Sequence, residues 1–258
     1  MSKRLVAAQN PMAHQSPSTS RAEVRISSDD VRAMFDRIAP KYDLLNHLLS
    51  FGRDILWRRK LARLLIAEES NNIIDLATGT GDVLIELLRT NDAIERAVGL
   101  DLSESMLNVC RHKLHKQGID AEKVELIAGD ASQTGLPADS FDAVTMAFGI
   151  RNTTDVRATL REMARILKPK GIVLILEFSM PANWIVKHLY MFYLRHLVPL
   201  IGRMISGDRR AYRYLDSSIE SFHRPERFCQ LMQETGFTAI KADSLTFGVA
   251  HIYSGLRP

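Results

Sequence analysis

Apolar residues along this chain follow two rhythms that alternate from Asn72 onward. Short apolar runs at Ile73–Leu76, Ala97–Leu100, Val124–Ala128, Asp142–Phe148 and Ile172–Phe178 read as buried strands. Between them apolar positions fall three and four apart, which predicts helices. One opens at Asp82 and carries Val83, Leu84, Leu87 and Leu88 on one face; one is capped by Ser103 and runs to about Lys116; one starts at Thr154-Asp155 and runs to about Leu167. Pro169-Lys170-Gly171 reads as the turn before the fifth strand. Strand and helix in alternation predict an α/β protein with a doubly wound sheet of five parallel strands and right-handed crossovers. A helix from Pro225 to about Glu234, closed by Gly236, follows. Then Phe237–Ala242 and Leu245–Tyr253, joined by Asp243-Ser244, predict a C-terminal antiparallel hairpin.

The flanking segments break this rhythm. Residues 1–27 are rich in Ser, Ala, Gln and Pro without apolar periodicity and read as a disordered tail. Residues 28–70 read as N-terminal helices: Val31, Met34, Phe35 and Ile38 share a face that Pro40 ends. A mixed stretch from Lys41 to Gly52 follows, and then a basic helix from Asp54 to Ile66. On that helix Trp57, Leu61, Leu64 and Leu65 are the buried side, and Arg58, Arg59, Lys60 and Arg63 read as a solvated face. Residues 181–223 are a helical insertion. Trp184–Ile205 is strongly apolar, carries Lys187, Arg195 and Arg203 eight residues apart, and is bent or broken by Pro199. The pattern fits a lid or interfacial helix and equally a helix packed on the sheet.

The stretch richest in candidate chemistry is the first strand–turn–helix–strand unit. Its loop, Ala77-Thr78-Gly79-Thr80-Gly81, follows Asp75-Leu76, and Asp101 ends the next strand. In doubly wound sheets ligands bind at the carboxyl ends of strands, and an acid about twenty residues after a glycine turn can hold a ribose diol. A dinucleotide is disfavoured. Leu84 stands where its third glycine would be, and Asp75 and Asp82 flank a loop that a pyrophosphate would need free of negative charge. S-adenosylmethionine has a ribose, two positive charges and no phosphate, and fits the acids better. Asp82 alone is equally explained as a favourable charge at a helix start. Asp130 in Gly129-Asp130-Ala131 falls at the same sheet edge and can accept from an adenine amine, with Ala131 leaving room for the ring; a plain turn residue is the alternative.

Composition narrows the class. The 258 residues are 46% hydrophobic and 25% charged with a net charge of +4, ordinary for a soluble protein and mildly basic. Cys110 and Cys229 have no metal or redox spacing, and no metal-ligand cluster is evident. No apolar run spans a bilayer, and no secretory signal opens the chain, so the expected compartment is cytoplasmic. No dedicated nucleic-acid module appears.

Several blocks together resemble a known family. They are Phe35-Asp36-Arg37-Ile38-Ala39-Pro40-Lys41-Tyr42-Asp43, Asn46, Ser50-Phe51-Gly52, Trp57, Asp75-Leu76-Ala77 with Gly79-Thr80-Gly81-Asp82, Phe148-Gly149-Ile150-Arg151-Asn152, Arg165–Pro169 and Glu177-Phe178-Ser179. The chain resembles the class I, S-adenosylmethionine-dependent methyltransferases with their Rossmann-like sheet. Within them it is similar to the menaquinone and ubiquinone biosynthesis C-methyltransferases, from about Val31 to Tyr253. The glycine loop is weakly specific; the YDLLNHLLSFG and FGIRN blocks together are much more so.

The resemblance implies one methyltransferase domain over residues 28–258 and C-methylation of a demethylated prenyl quinol. The acceptor it points to first is demethylmenaquinol, with a ubiquinone precursor as the alternative. It implies S-adenosylmethionine as methyl donor, held around Asp75, Gly79, Thr80, Gly81, Asp101, Asp130, Ala131 and Ala147, and no metal. Family members often carry Ser at Ala147, His at Asp54, Met at Leu45, Gly at Lys170 and Gly at Thr78. For the reaction, Arg151 is placed to pair with a phenolate, Asn152 to hydrogen-bond the other oxygen, and Tyr42 to relay a proton or stack on the ring. A salt bridge to a helix carboxylate is the competing reading for Arg151, and packing for Tyr42. A prenylated substrate implies peripheral membrane contact through the helix from Trp184, with Arg209, Arg210 and Arg213 at lipid head groups. The same reading expects no nucleic-acid partner and leaves room for a homodimer. Small-molecule O- or N-methylation and nucleic-acid methylation are the rival activities.

Overall fold

In a computed structural model the chain forms one seven-stranded sheet with helices on both faces; the structure describes residues 28–66, 70–200 and 209–258. The tail expected over 1–27 lies outside those residues. Three helices lead in: α1 (Ser28–Ile38), α2 (Tyr42–Leu49) and α3 (Arg53–Ile66). The alternating core follows as β1 (Asn72–Leu76), α4 (Asp82–Thr90), β2 (Arg96–Asp101), α5 (Glu104–Lys116), β3 (Val124–Ala128), β4 (Phe141–Ala147), α6 (Val156–Ile166) and β5 (Leu167–Phe178). The insertion contributes α7 (Trp184–Phe192) and α8 (Arg209–Ser221). α9 (Pro225–Glu234), β6 (Thr238–Leu245) and β7 (Ala250–Leu256) complete the fold.

The strand order is β3-β2-β1-β4-β5-β7-β6, with β1 to β5 parallel and β7 antiparallel to both neighbours. Order reverses between β1 and β4, which opens a crevice beyond their carboxyl ends. β1, β4 and β5 are nearly continuous apolar runs because helices cover both faces of the sheet. Two core layers result. One packs Trp57, Leu61, Leu65, Leu84 and Leu87 on Ile73, Leu174 and Leu176; the other packs Leu160, Met163, Phe228 and Phe237 on Ile74, Val144, Val173 and Tyr253. Helix starts follow their caps: Ser103 accepts from the Met106 N–H, and Asp155 from that of Ala158.

Three expectations need correction and one is refined. β5 begins at Leu167, not Ile172, because Leu167 pairs with Phe141 before the register jumps to Ile172 opposite Ala143. Pro169-Lys170-Gly171 is the bulge between, with Lys170 at φ 65°, so the predicted turn sits inside the strand. The hairpin turns later than Asp243-Ser244. Those residues stay in β6, and the reversal falls at Thr246–Val249, with Thr246 and Phe247 left-handed at φ 45° and 58°. The bend or break expected at Pro199 takes the form of a π turn over Tyr193–Leu197, within a run that stays helical to Leu200. Proline lacks the N–H and crowds the carbonyl four residues back, which this widening relieves. Finally, Arg58 is not on a solvated face. It is 7% exposed and held by Asp54 and Asp82, as described below.

Candidate active site

Two cavities meet beyond the carboxyl ends of β1, β2 and β4. The smaller is a narrow cleft lined by Gly79, Asp101, Leu102, Asp130, Ala131, Ala147, Gly149 and Asn152, roofed by Val31, Arg32 and Phe35 of α1. The larger, about 480 Å³, is lined by α1, α2 and α3 on one side and by Tyr190, Tyr193, Leu194, Tyr214 and Ile219 of the insertion on the other. Phe35, Tyr42 and Phe148 belong to both walls.

The cleft is made by strand ends. Ala77 (φ 51°) and Phe148 (φ 56°) turn the chain away from β1 and β4 in left-handed conformations, each costing about 1 kcal/mol for a residue with a Cβ. Gly79 is left-handed too, with nothing within 4 Å of where a Cβ would sit, so the loop leaves open space beside Asp101. Gly81, by contrast, is needed for packing, since a Cβ there would lie 2.3 Å from Cys110 Sγ on α5. Asp101 Oδ2 accepts from the Gly79 N–H and Oδ1 from the Ser103 N–H, each at 2.8 Å. Burial pushes its carboxyl up; the two amides pull it down, and nearby Asp36 pushes it up again. A carboxylate has about four acceptor positions, so two remain for a ribose diol. Asp130 uses Oδ1 to accept from the Ser132 N–H and hydroxyl.

Of the residues expected around the methyl donor, the structure gathers Gly79, Asp101, Asp130, Ala131 and Ala147 on the cleft wall, and not Asp75, Thr80 or Gly81. Asp75 lies beneath, 1% exposed, accepting from Thr145 Oγ1 at 2.6 Å; burial raises its carboxyl to about 6. Thr80 donates to Asp43 at 2.5 Å, away from the cleft. The acceptors at two strand ends and the small residues between them fit S-adenosylmethionine; Arg32 of the roof is the one cationic side chain in the lining, against Asp101 and Asp130. Those two acids do not fit a phosphate-bearing ligand.

The larger cavity is mostly apolar; its polar lining includes Asn46, Ser50, Arg53, Asp54 and Thr246 and, beside Phe148 of the shared wall, Arg151. There Arg151, 6% exposed, donates from Nη1 to Glu177 Oε1 and to the Phe148 carbonyl, each at 2.7 Å. Its guanidinium lies 5.3 Å from the Phe178 ring centroid, and its Nε is buried without a hydrogen-bond partner. The competing salt bridge is thus present, but its carboxylate ends a strand, not a helix. Burial opposes the charge on Arg151, and Glu177 more than restores it, so the proton is held more tightly than usual. Tyr42 is pushed up by burial, partly offset by Asn46 and Arg151, and so stays a hydroxyl donor at neutral pH. Asn152 faces the cleft; its Nδ2 donates to the Phe148 carbonyl and its Oδ1 accepts from Tyr214 at 3.1 Å. Trp57, Phe148 and Phe178 form an aromatic wall, the last two stacked at 4.5 Å.

Glu177, Tyr190 and Tyr214 escaped the sequence reading. A carboxylate at the end of the run Ile172–Phe178 was the available signal, because a charge in a strand covered on both faces requires a partner. The tyrosines gave none; they reach the cavity only through the fold of the insertion. The side chains of Arg209, Arg210 and Arg213 lie outside the described residues. Among the described residues no cluster of His, Cys, Asp and Glu is arranged to hold a metal ion.

Comparison with known proteins agrees with this geometry. The chain is 43% identical over 229 residues to the ubiquinone/menaquinone biosynthesis C-methyltransferase UbiE of Syntrophotalea carbinolica, covering 88% of this chain and 94% of that one. It is 44% identical over 223 residues to the demethylmenaquinone methyltransferase of Thermotoga maritima, covering 86% and 93%. Among solved structures, a possible histamine N-methyltransferase of Thermotoga maritima, described as S-adenosylmethionine-dependent, superposes with a TM-score of 0.61. It is 18% identical, covering 88% of this chain and 99% of that chain, a likeness of fold alone. The ubiE/COQ5 methyltransferase family matches residues 23–257, and the chain belongs to that family.

Proposed function

We propose that the chain methylates a ring carbon of a demethylated prenyl quinol, demethylmenaquinol first, in quinone biosynthesis, with S-adenosylmethionine as donor. One observation carries this most: a buried arginine whose Nε has no hydrogen-bond partner lines a largely apolar 480 Å³ cavity beside Phe148 of the wall shared with the cleft. Such a cation suits an anionic ring oxygen, and the apolar part of the lining suits an isoprenoid tail. When bound in the cleft, the cofactor supplies an electrophilic methyl group on a sulfonium. The chain's own residues prepare the acceptor. Arg151 holds the ring oxygen as phenolate, which raises electron density at the neighbouring ring carbon. Tyr42, on the shared wall, orients the ring by a hydrogen bond, while Asn152 lines the cleft and braces Tyr214 and the Phe148 carbonyl; the aromatic wall fixes the ring plane and excludes water.

The mouth of the larger cavity supports peripheral membrane contact. Phe51 (75% exposed) lines the cavity, and exposed apolar residues stand on two elements that also contribute to the lining: Trp184 (70%), Leu189 and Phe192 on α7 with Tyr190, and Phe247 (83%) next to Thr246. Phe51 packs on Tyr193 at 5.5 Å, and Trp57 Nε1 donates to Thr246, so the three elements border one opening. Single exposed apolar residues are common, but a contiguous group marks an interaction surface. Among the described residues no helix is long and apolar enough to cross a membrane. A cytoplasmic enzyme resting on the inner leaflet is the arrangement we favour.

The test is quinone extraction from cells lacking the protein, together with methyl transfer to demethylmenaquinol in vitro. Accumulated demethylmenaquinone and transfer of labelled methyl to the ring are expected. Normal quinones with hypomethylated RNA would overturn the reading. A relative named for both quinones favours a second substrate, the ubiquinone precursor, and the same extraction separates the two by ring type.

A further inference from the structure

A chain of charges from four helices runs behind the two cavities. In the first turn of α2, Asp43 accepts from Thr80 Oγ1 at 2.5 Å and from Lys113 Nζ of α5 at 2.7 Å. Lys113 also pairs with Asp82 in the first turn of α4. Arg58 of α3 lies 2.9 Å from the second oxygen of Asp82 and 2.6 Å from Asp54. Asp54 in turn accepts from Ser50 Oγ at 2.5 Å and bonds His47 Nδ1 at 2.7 Å. His47 and Ser50 lie at the other end of α2. The chain therefore leaves from one end of that helix and returns to the other.

Its charged carboxylate, ammonium and guanidinium side chains are 2% to 29% exposed, so solvent screens them far less than surface pairs. Asp43, Thr80, Asp82 and Lys113 line neither cavity. What they hold does. α2 carries Tyr42 on both cavities and Asn46 on the larger, where the Asn46 Nδ2 is buried and unpartnered. Arg58 lies 5.9 Å from the ring centroid of Phe148, the other residue central to the shared wall. On the cleft side, Thr80 follows Gly79, whose N–H donates to Asp101. One peptide unit separates the cleft from the anchor of Asp43, and one separates Asp43 from Tyr42.

We infer that Asp43 and Lys113 are positioning residues: the charge chain sets where Tyr42 and Asn46 stand in the acceptor cavity and transmits the state of the glycine loop to them. This rests on the reaction proposed above. The spacing explains why Thr80, inside the glycine loop, faces a helix and not the cleft. It also explains why Asp43 directly follows a residue that touches both ligands' sites. Ligand-binding side chains need support of this kind, since a misplacement of about 1 Å can cost about a hundredfold in rate.

The test compares the full-length wild type with Lys113→Met and Lys113→Arg, each labelled with 3-fluorotyrosine and with the Tyr42 resonance identified by Tyr42→Phe. Lys113→Met is expected to lower kcat by about tenfold to a hundredfold and to raise the acceptor KM, while Lys113→Arg restores both. In the wild type S-adenosylhomocysteine should shift the Tyr42 fluorine resonance; in Lys113→Met the shift should be lost while the homocysteine derivative still binds by calorimetry. Unchanged kcat with a preserved fluorine response in Lys113→Met overturns the inference, and so does a loss that Lys113→Arg does not rescue. If the wild type transfers no methyl to demethylmenaquinol, the substrate reading falls, and the fluorine response still decides the positioning role.

Discussion

The cleft and the larger cavity share three residues yet are built on different principles. The cleft is a product of sheet topology: Gly79, Asp101, Asp130 and Ala147 stand at strand ends or in the loops that follow them, and backbone amides fix the key acid. The larger cavity belongs to helices outside the parallel sheet, with lining residues from Met34 to Val249. Its lining is side chains, among them Arg151, which is held by the buried Glu177. One half can therefore be conserved in geometry by the fold alone, while the other depends on how the flanking helices pack. On the proposed reading, donor and acceptor sites should respond separately to substitution, except at their common wall.

The largest effect that would sharpen this division comes from Arg151→Met. Losing a preorganised charge at a developing oxyanion costs about 3–4 kcal/mol, or a few hundredfold in kcat, with cofactor affinity held. Because Glu177 would be left as an unpaired buried carboxylate, the double variant Arg151→Met/Glu177→Gln should recover stability in thermal unfolding without recovering kcat. Next is Asp101→Asn, which loses charge-assisted bonds worth about 1.5–3 kcal/mol each. Calorimetry should show S-adenosylhomocysteine binding weakened by about a hundredfold, with acceptor binding kept. Equal losses for both ligands in either variant would break the division.

Asp75→Asn should act on stability and leave both ligands in place. The folded carboxyl titrates near 6 instead of near its usual value, so its neutral form is favoured on folding. That contribution is full below the unfolded pKa and lost as pH rises through about 6, leaving a buried charge at neutral pH. The amide removes the penalty, so unfolding at pH 7.5 should show a gain of about 2–3 kcal/mol that vanishes toward pH 4. The smallest effect is at the rim. Phe247→Asp should lower kcat/KM about tenfold for a long-tailed quinol presented in anionic vesicles, through roughly 1–2 kcal/mol of lost apolar contact. It should leave a short-tailed, water-soluble quinol unaffected, and vesicle flotation should fall in parallel.

How much was legible follows the same division. The strand-end acids and glycines were readable because a doubly wound sheet dictates where its strands end, and β3 spans Val124–Ala128 as its apolar run predicts. Glu177 was hidden because periodicity treats it as the end of an apolar run, although its partner Arg151 had been singled out. Arg58 was misplaced because a helix pattern assigns every Arg to water, while two carboxylates, one on α3 and one on α4, draw this one inward. The shifted hairpin turn carries left-handed Thr246, Phe247 and Gly248; Gly248 was a turn signal, but Asp243-Ser244 offered a stronger one five residues earlier. The π turn was anticipated only as a bend at Pro199.

β7 follows the other six described strands in the chain yet lies between β5 and β6. During synthesis β5 therefore keeps a bare edge until Ala250–Leu256 has left the ribosome, and such an edge pairs readily with other chains. His251 pairs opposite Glu177 in that last insertion, so the strand segment that anchors Arg151 becomes fully covered only then. A nascent chain stalled before β7 would hold the donor cleft's strands in order while its arginine anchor stood at an open edge. The strand that carries Glu177, the partner of Arg151, is thereby enclosed on both edges only once β7 has paired.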